Sequence, residues 1–435
     1  MTLYNIMLAA LITKARINNQ KIVHKPELKP LAEIALKVVA DNYLLYKELK
    51  GLDEKHKIKV YELMSVDYQI EDIFPYIDYE PFWKRACEFR FKDLDISNPQ
   101  AKWKQLYAEN HIQNLISHYT TNYTEEDMDY LIRVCQMVKD YIFNLTIPTF
   151  CYKFEISFIP QYFTNLNKLY LKYSPILIEH KERGNFYTSG LEPIEDEYLA
   201  FGIRVPDLKN FCLLIPNLKN FKSLSLQGNL VDDEMIKCLV PGLISNPILE
   251  DLDLSNNHIT EQGMIKICSY LIKTTALKSL NLTNNLIGGE SSYAIGLVLK
   301  ENTKLKSLNL SMNRFDDLNG AILMKMLAFN TDLEELNLSS NLLGEETMKH
   351  LQASLEVNTT IQVINLSYNE EVRMNDELKE LVETHPLLIE FNIHHTKNKT
   401  EEEANKLDAV LIKKAIKLKI NRTNQLRKAA ESNKN

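Results

Sequence analysis

Along the second half of the chain the apolar positions fall into one recurring phrase, apolar-x-x-apolar-x-apolar-x-x-Asn. It reads Phe221, Leu224, Leu226, Asn229; Leu249, Leu252, Leu254, Asn257; Leu277, Leu280, Leu282, Asn285; Leu305, Leu308, Leu310, Asn313; Leu333, Leu336, Leu338, Asn341; and Ile361, Ile364, Leu366, Asn369. The six asparagines stand 28 residues apart, a register that chance does not hold. A seventh phrase, Leu388, Phe391 and Ile393, lacks the asparagine and reads as a terminal unit. Within one unit Leu252 and Leu254 alternate as inward positions of a short parallel strand. Met264, Ile267, Cys268 and Leu271 follow at helical spacing and predict a helix over the outer side. No such unit buries its apolar face alone, so neighbours must stack. The pattern therefore predicts an α/β fold, a curved leucine-rich-repeat solenoid of strand-helix units with a strand-lined concave face.

The array is expected to begin before its regular part. Leu166, Leu169 and Leu171 carry the strand phrase 55 residues before Phe221, close to two periods, and Leu208, Phe211 and Ile215 have the spacing of a repeat helix. Residues 175–200, with Gly184, Gly190 and Pro193, read as an irregular loop or a degenerate strand. Upstream the pattern changes. Of 39 aromatic residues only seven lie between 219 and 396, and the other 32 precede position 219. Leu31, Ile34, Ala35, Val38 and Val39 keep a helix period, as do Tyr130, Leu131, Val134, Cys135 and Val138. The expected layout is a mostly helical, aromatic-rich N-terminal domain over 1–155, a repeat domain over 156–396 that is regular from 221, and a tail over 397–435. The tail holds eleven Lys or Arg against five Asp or Glu. Leu407, Val410, Leu411 and Leu418 predict a helix capping the open end of the solenoid, followed by a basic terminus.

Composition narrows the function. A formal charge of −7 and an isoelectric point near 5.9 disfavour a dedicated nucleic-acid binder. Six scattered cysteines suit a reducing compartment. The apolar run Tyr4 to Ile12 is short for a secretory signal, and no stretch reaches the length of a membrane span, so a soluble intracellular protein is expected. Catalytic signatures are missing as well. There is no Gly-Lys pair for a phosphate loop, no Gly-x-Ser-x-Gly elbow, no His-Glu-x-x-His helix and no two-residue cysteine spacing. The pair His394-His395 follows the last strand, where exposed or capping histidines outnumber ligands. The expectation is a protein without enzymatic activity and without a cofactor or metal.

Three strand positions per unit are expected to face the concavity. They offer Asp251, Asp253, Ser255, Asn281, Thr283, Asn309, Glu335, Asn337 and Asn365 as candidate partner contacts. The columns contain no Trp, Tyr or Arg, the usual anchors of an interface, so a solvated inner sheet is an equal alternative. The ladder Asn229, Asn257, Asn285, Asn313, Asn341 and Asn369 is expected to be structural, each amide satisfying backbone groups of its own coil and the next. Lys413, Lys414, Lys417, Lys419 and Arg422 in the tail are candidate contacts for an acidic surface. Tyr76, Tyr79, Phe82 and Trp83 read as core rather than as a docking patch.

Beyond the repeats, Val231-Asp232-Asp233-Glu234, running through Ile244-Ser245-Asn246-Pro247 to Asp251-Leu252-Asp253-Leu254-Ser255, resembles the dynein regulatory complex subunit 5 family, also called T-complex-associated testis-expressed 1. Phe82-Trp83-Lys84-Arg85-Ala86-Cys87, Trp103-Lys104, His111 and Leu115 are similar to that family's N-terminal region, and Leu387 to Ile393 to its end. The resemblance spans roughly 30–420, with 175–200 matching poorly. It implies a non-catalytic scaffold subunit of the ciliary nexin–dynein regulatory complex, located in the axoneme of a cilium or flagellum. Such a subunit helps link adjacent outer doublets and regulate dynein-driven motility. The implied partners are other subunits of that complex, with doublet-microtubule or dynein components, in a hetero-oligomeric assembly without nucleic acid or membrane. The alternatives are a Ran GTPase-activating-protein-like regulator, whose repeats are typically followed by an acidic rather than a basic tail, and a generic leucine-rich-repeat adaptor.

Overall fold

The computed structural model describes residues 31–95, 97–98, 100–118, 124–150, 154–173, 202–274, 276–302, 304–396, 406–416 and 418–419. It divides into two compact units, Met1–Leu145 and Thr146–Asn435.

The first unit is helical over its described residues: Leu31–Asp41, Glu54–Leu63, Ile70–Ile73, Glu80–Arg90, Trp103–Ser117 and Glu125–Val138. Its sequence places Asp53 and Thr124 where side chains cap helix starts, the latter in a reciprocal capping box with Asp127. The core is built from unlike rings. Trp83 lies edge-on to Phe74 and Phe82 at 5.4 Å centroid separations and against Tyr107 at 5.0 Å, while its indole N–H donates to the Ile77 carbonyl at 3.1 Å. Phe82 and Trp83 are fully buried, as the sequence predicts, whereas Tyr76 is exposed and Tyr79 half-buried.

The second unit is organised by a nine-stranded sheet in simple chain order, β1 to β9. β1 (Asn144–Phe150) and β2 (Lys168–Tyr173) are followed by seven three-residue strands. These are β3 (Ser223–Ser225), β4 (Asp251–Asp253), β5 (Ser279–Asn281), β6 (Ser307–Asn309), β7 (Glu335–Asn337), β8 (Val363–Asn365) and β9 (Glu390–Asn392). From β2 onward every neighbouring pair is parallel and in repeat register, as with Leu224 beside Leu252 and Leu252 beside Leu280. A helix follows each of β3 to β8: Asp233–Ile244, Glu261–Leu271, Ser291–Glu301, Asp317–Leu327, Glu345–Leu355 and Asp376–Thr384. Both strand leucines of each phrase are buried, for example Leu252 and Leu254. Helix faces such as Met264, Ile267, Cys268 and Leu271 close the core from the other side.

One expectation needs correction. β2 hydrogen-bonds directly to β3, with Leu169 beside Leu224, so the 55 residues between the two phrases form one coil and not two. Among the described residues no strand sits between them in the sheet. The surplus length falls in 174–201, outside the described residues, and Val205–Leu214 supplies the coil's helix.

The asparagine ladder explains why the period is so strict. Asn257 Nδ2 donates to the carbonyls of Leu226, Leu254 and Ser255, and its Oδ1 accepts from the N–H groups of Asn229 and Val231. Asn285, Asn313, Asn341 and Asn369 repeat this geometry, and Asn229 applies it to Leu171 and Tyr173 of β2. Each amide therefore serves its own coil and the preceding one, where the sequence suggested the following one. The direction follows from the turn: where the chain bends out of each strand its backbone N–H and C=O groups lose their strand partners, and the next coil's asparagine is the group that reaches them.

A second, unanticipated ladder closes the other turn. Asn246, Asn302, Asn330 and Asn358, after successive helices, are buried and donate Nδ2 to the carbonyls of Phe221, Leu271, Leu299 and Leu327. Thr274 interrupts the series, and His385 ends it with Nε2 on the Asn358 carbonyl at 2.6 Å and Nδ1 accepting from Leu388 N–H. Carboxylates tie helix starts together in the same manner. Asp233 accepts from the N–H groups of Thr260 and Gly263, and Asp317 from those of Gly344, Glu346 and Thr347. A Cβ at Gly263 would strike the Asp233 carboxylate, so that close approach requires glycine.

Candidate functional site

The sheet's open face carries the predicted contact columns, and the coordinates sort them into two kinds. Asp251 and Glu335 are exposed; Asp253, Asn281, Thr283, Asn309, Asn337 and Asn365 are half-buried. Ser255 is only 1% exposed and is removed from the surface, because the chain turns inward right after the strand. Ser311, Ser339 and Ser367 in the same column are buried too.

The middle column has a local duty that sequence spacing did not reveal. Asp253, Asn281, Asn309, Asn337 and Asn365 each accept, through Oδ1, the N–H two residues on, at 2.9 to 3.1 Å. These are Asx-type turns that bend the chain out of each strand. The acceptor oxygen is engaged, while the Nδ2 groups of the four asparagines have no acceptor among the described residues. Glu335 receives the Ser307 hydroxyl at 2.9 Å. The face thus presents a row of amide donors with carboxylates at Asp251, Asp253, Glu335 and Glu390. The strand residues of β4 to β9 include no Lys or Arg. Such a surface suits water-bridged, base-seeking polar contacts more than apolar burial.

Along the edge where strands begin, Glu250 bridges Lys222 at 2.9 Å and Lys278 at 2.5 Å. Hydrogen bonds from Lys278 and Lys222 hold its carboxyl down to about 2. The groove beside it, about 400 Å³, is also lined by Lys304, Lys306 and Asp332, and Lys306 pairs with Asp332 and Glu334. Its lysines are largely neutralised by their own neighbours.

The predicted tail helix is present over 406–416. Leu407 and Leu411 are buried, Leu418 is half-buried, and Val410 is exposed rather than part of the apolar stripe. Asp408 accepts from His394 at 2.8 Å, which ties the first of the two adjacent histidines to the tail helix. Lys413 and Lys419 are exposed. Lys414 is not a free surface cation: its Nζ lies 3.4 Å from the Val382 and Glu383 carbonyls at a helix end, and burial pulls its pKa down. Lys417 and Arg422 lie outside the described residues.

In the helical unit the residues that carry the family resemblance form its interior. The Lys104 ammonium lies 5.1 Å from the Phe74 ring centroid, 5.2 Å from Tyr141 and 5.8 Å from Trp83, with the Asp78 carboxylate 3.8 Å away. Burial lowers its pKa. Glu109 accepts from the N–H groups of Phe143 and Asn144 and from Gln105, while burial raises its pKa. His111, stacked on Tyr107, is lowered to about 4 by burial and then by Arg90, and its Nε2 has no partner. These groups organise a core. Among the described residues no cluster of His, Cys, Asp and Glu is arranged to hold a metal ion, and no helix is long and apolar enough to cross a membrane.

The stacked strands, helices and asparagine ladder define a leucine-rich-repeat fold, and the Leucine Rich repeat family model matches residues 245–268 and 301–318. Among curated proteins the chain is similar to Dynein regulatory complex subunit 5. It is 26% identical to that of Macaca fascicularis over 249 residues, covering 54% of this chain and 49% of the relative. To that of Chlamydomonas reinhardtii it is 24% identical over 211 residues, covering 48% and 50%. The chain spans about half the length of the curated relatives it matches. Among solved structures, Leiomodin-1 Actin-Binding Site 2 covers 38% of this chain at 19% identity with a TM-score of 0.27.

Proposed function

We propose that the chain is a non-catalytic scaffold subunit of the ciliary nexin–dynein regulatory complex, held in the axoneme of a cilium or flagellum. There it helps link adjacent outer doublets and regulate dynein-driven motility. The observation that carries this reading is the similarity to Dynein regulatory complex subunit 5 from a primate and from an alga. The open, polar sheet face agrees with a binding role. Its working parts are the helical N-terminal domain, the repeats and the capping tail. Its partners are other subunits of that complex and doublet-microtubule or dynein components, met through Asp251, Asp253, Asn281, Thr283, Asn309, Glu335, Asn337 and Asn365 and through exposed lysines of the tail.

The test is to tag the protein in a ciliated cell and extract isolated axonemes with rising salt. Localisation along the axoneme, with release only alongside other regulatory-complex subunits, is expected. A diffuse cytoplasmic or perinuclear signal would overturn the reading, and GTP hydrolysis by Ran with this protein added would then be the next assay.

A further inference from the structure

Seven residues at one position of successive coils, just after each strand, have left-handed backbones: Gly228, Asn256, Asn284, Met312, Ser340, Tyr368 and His395, with φ between +54° and +68°. The strain there has a clear reason. At each of the first six the N–H must point along the sheet to a carbonyl of the next coil, as Asn256 does to Thr283 and Tyr368 to His394. In the earlier coils the position is filled by Gly and Asn, the residues that accept this conformation most readily. In the later coils it is filled by Met312 and Tyr368, which do not. Neither is repaid by burial, since Met312 is 50% and Tyr368 56% exposed. Tyr368 stacks on the His395 ring at 4.5 Å, and Leu342, 71% exposed, follows Ser340 of the intervening coil by two residues and forms a backbone bridge to Asp316. Large apolar side chains are thus set on strained backbone and left in water, a combination that costs stability unless something covers it.

We infer that this rim, Met312, Leu342, Tyr368 and His395, is a docking surface for a basic protein segment that carries at least one large apolar side chain. The charge of the adjoining face selects that occupant. β4 to β9 contribute Asp251, Asp253, Glu335 and Glu390 and no basic residue; beside the apolar groups in sequence stand Asp316, Glu370 and Glu371 with Arg314 and Arg373, of which Glu371 and Arg373 pair at 3.9 Å. An apolar side chain would seat on the Met–Leu–Tyr rim while neighbouring Lys or Arg residues reach across the acidic sheet. The inference uses no ciliary information, so it stands or falls separately from the proposed location.

The test uses the purified full chain with a synthetic amphipathic Leu/Lys peptide and its Leu/Glu counterpart, read by fluorescence anisotropy. Tyr368→Asn and Met312→Asn restore the residue of the earlier coils, so they are expected to keep or raise the melting temperature. Together they should weaken Leu/Lys binding about tenfold, while Leu297→Asn on a helix should not change it. Failure of the Leu/Lys peptide to bind, equal binding by the Leu/Glu peptide, or unchanged binding by the double variant overturns the inference. So does self-association of the wild type that Tyr368→Asn abolishes, which would make a second copy the occupant.

Discussion

The helical unit and the repeat unit solve the same problem, burying polar backbone and side chains, in opposite ways. In the helical unit each solution is particular: Glu109 receives two backbone N–H groups and Lys104 sits among three rings, and neither arrangement recurs. In the repeat unit one amide geometry is reused coil after coil. The difference teaches where tolerance lies. A bespoke core concentrates its stability in a few irreplaceable residues, whereas an array spreads it over equivalent ones and loses it coil by coil.

The two tryptophans, Trp83 and Trp103, both lie in the helical unit, so their fluorescence reports that unit alone while far-ultraviolet circular dichroism reports both. The largest expected effect is Leu254→Asp, which buries a charge in the continuous repeat core. Several coils should lose structure, at a cost above about 4 kcal/mol, seen as lost ellipticity with tryptophan emission retained. An unchanged melt would refute the inward assignment of that residue. Next comes Trp83→Ala, expected to cost about 3–5 kcal/mol and to shift the transition monitored at Trp103. Asn257→Ala removes an amide with five backbone partners and should cost about 2–3 kcal/mol; Asn285→Ala should match it closely if the ladder is truly repetitive. Unequal losses at the two sites would break the contrast drawn above.

Acid acts on both units, since burial lowers His385 in the repeats as it lowers His111, and tryptophan emission isolates the helical one. His111 is neutral in the folded state, with its pKa lowered from 6.5 to about 4, so the unfolded chain binds the extra proton first. Its contribution is complete above about pH 6.5 and is lost progressively as pH falls toward 4. Urea titrations followed by tryptophan emission should show that slope, and His111→Phe should flatten it. The smallest expected change is Asp251→Arg, at an exposed position of the sheet, within about 0.5 kcal/mol in stability yet weakening any partner that uses the open face.

Much of the repeat unit was legible because its physics is periodic. Leu224, Leu252 and Leu280 announce the register, and the strands pair as that spacing demands. What periodicity does not encode was misread or missed. The distance from Leu169 to Leu224 resembles two periods, and only direct strand pairing shows it to be one coil. The second ladder was hidden because Thr274 and His385 break its identity while keeping its place. Ser255 alternates with Leu254 and so looks surface-facing, but the turn enforced by the Asp253 carboxylate carries it inside. In the helical unit nothing repeats, so the burial of Lys104 and Glu109 could be seen only once their ring and backbone partners were in place.

The direction of the asparagine bonds has a consequence for how the chain is made. Because Asn257 completes Asn229 and Val231, and Asn302 completes Leu271, some polar groups of each coil find their partners in the coil synthesised after it. On a ribosome, folding of this array must trail translation by one unit, each newborn coil waiting 28 residues for the amide that finishes it. Asn369 is the last asparagine of the ladder, and just after it the Val372 N–H donates instead to the Asn369 carbonyl, a bond made within the coil itself.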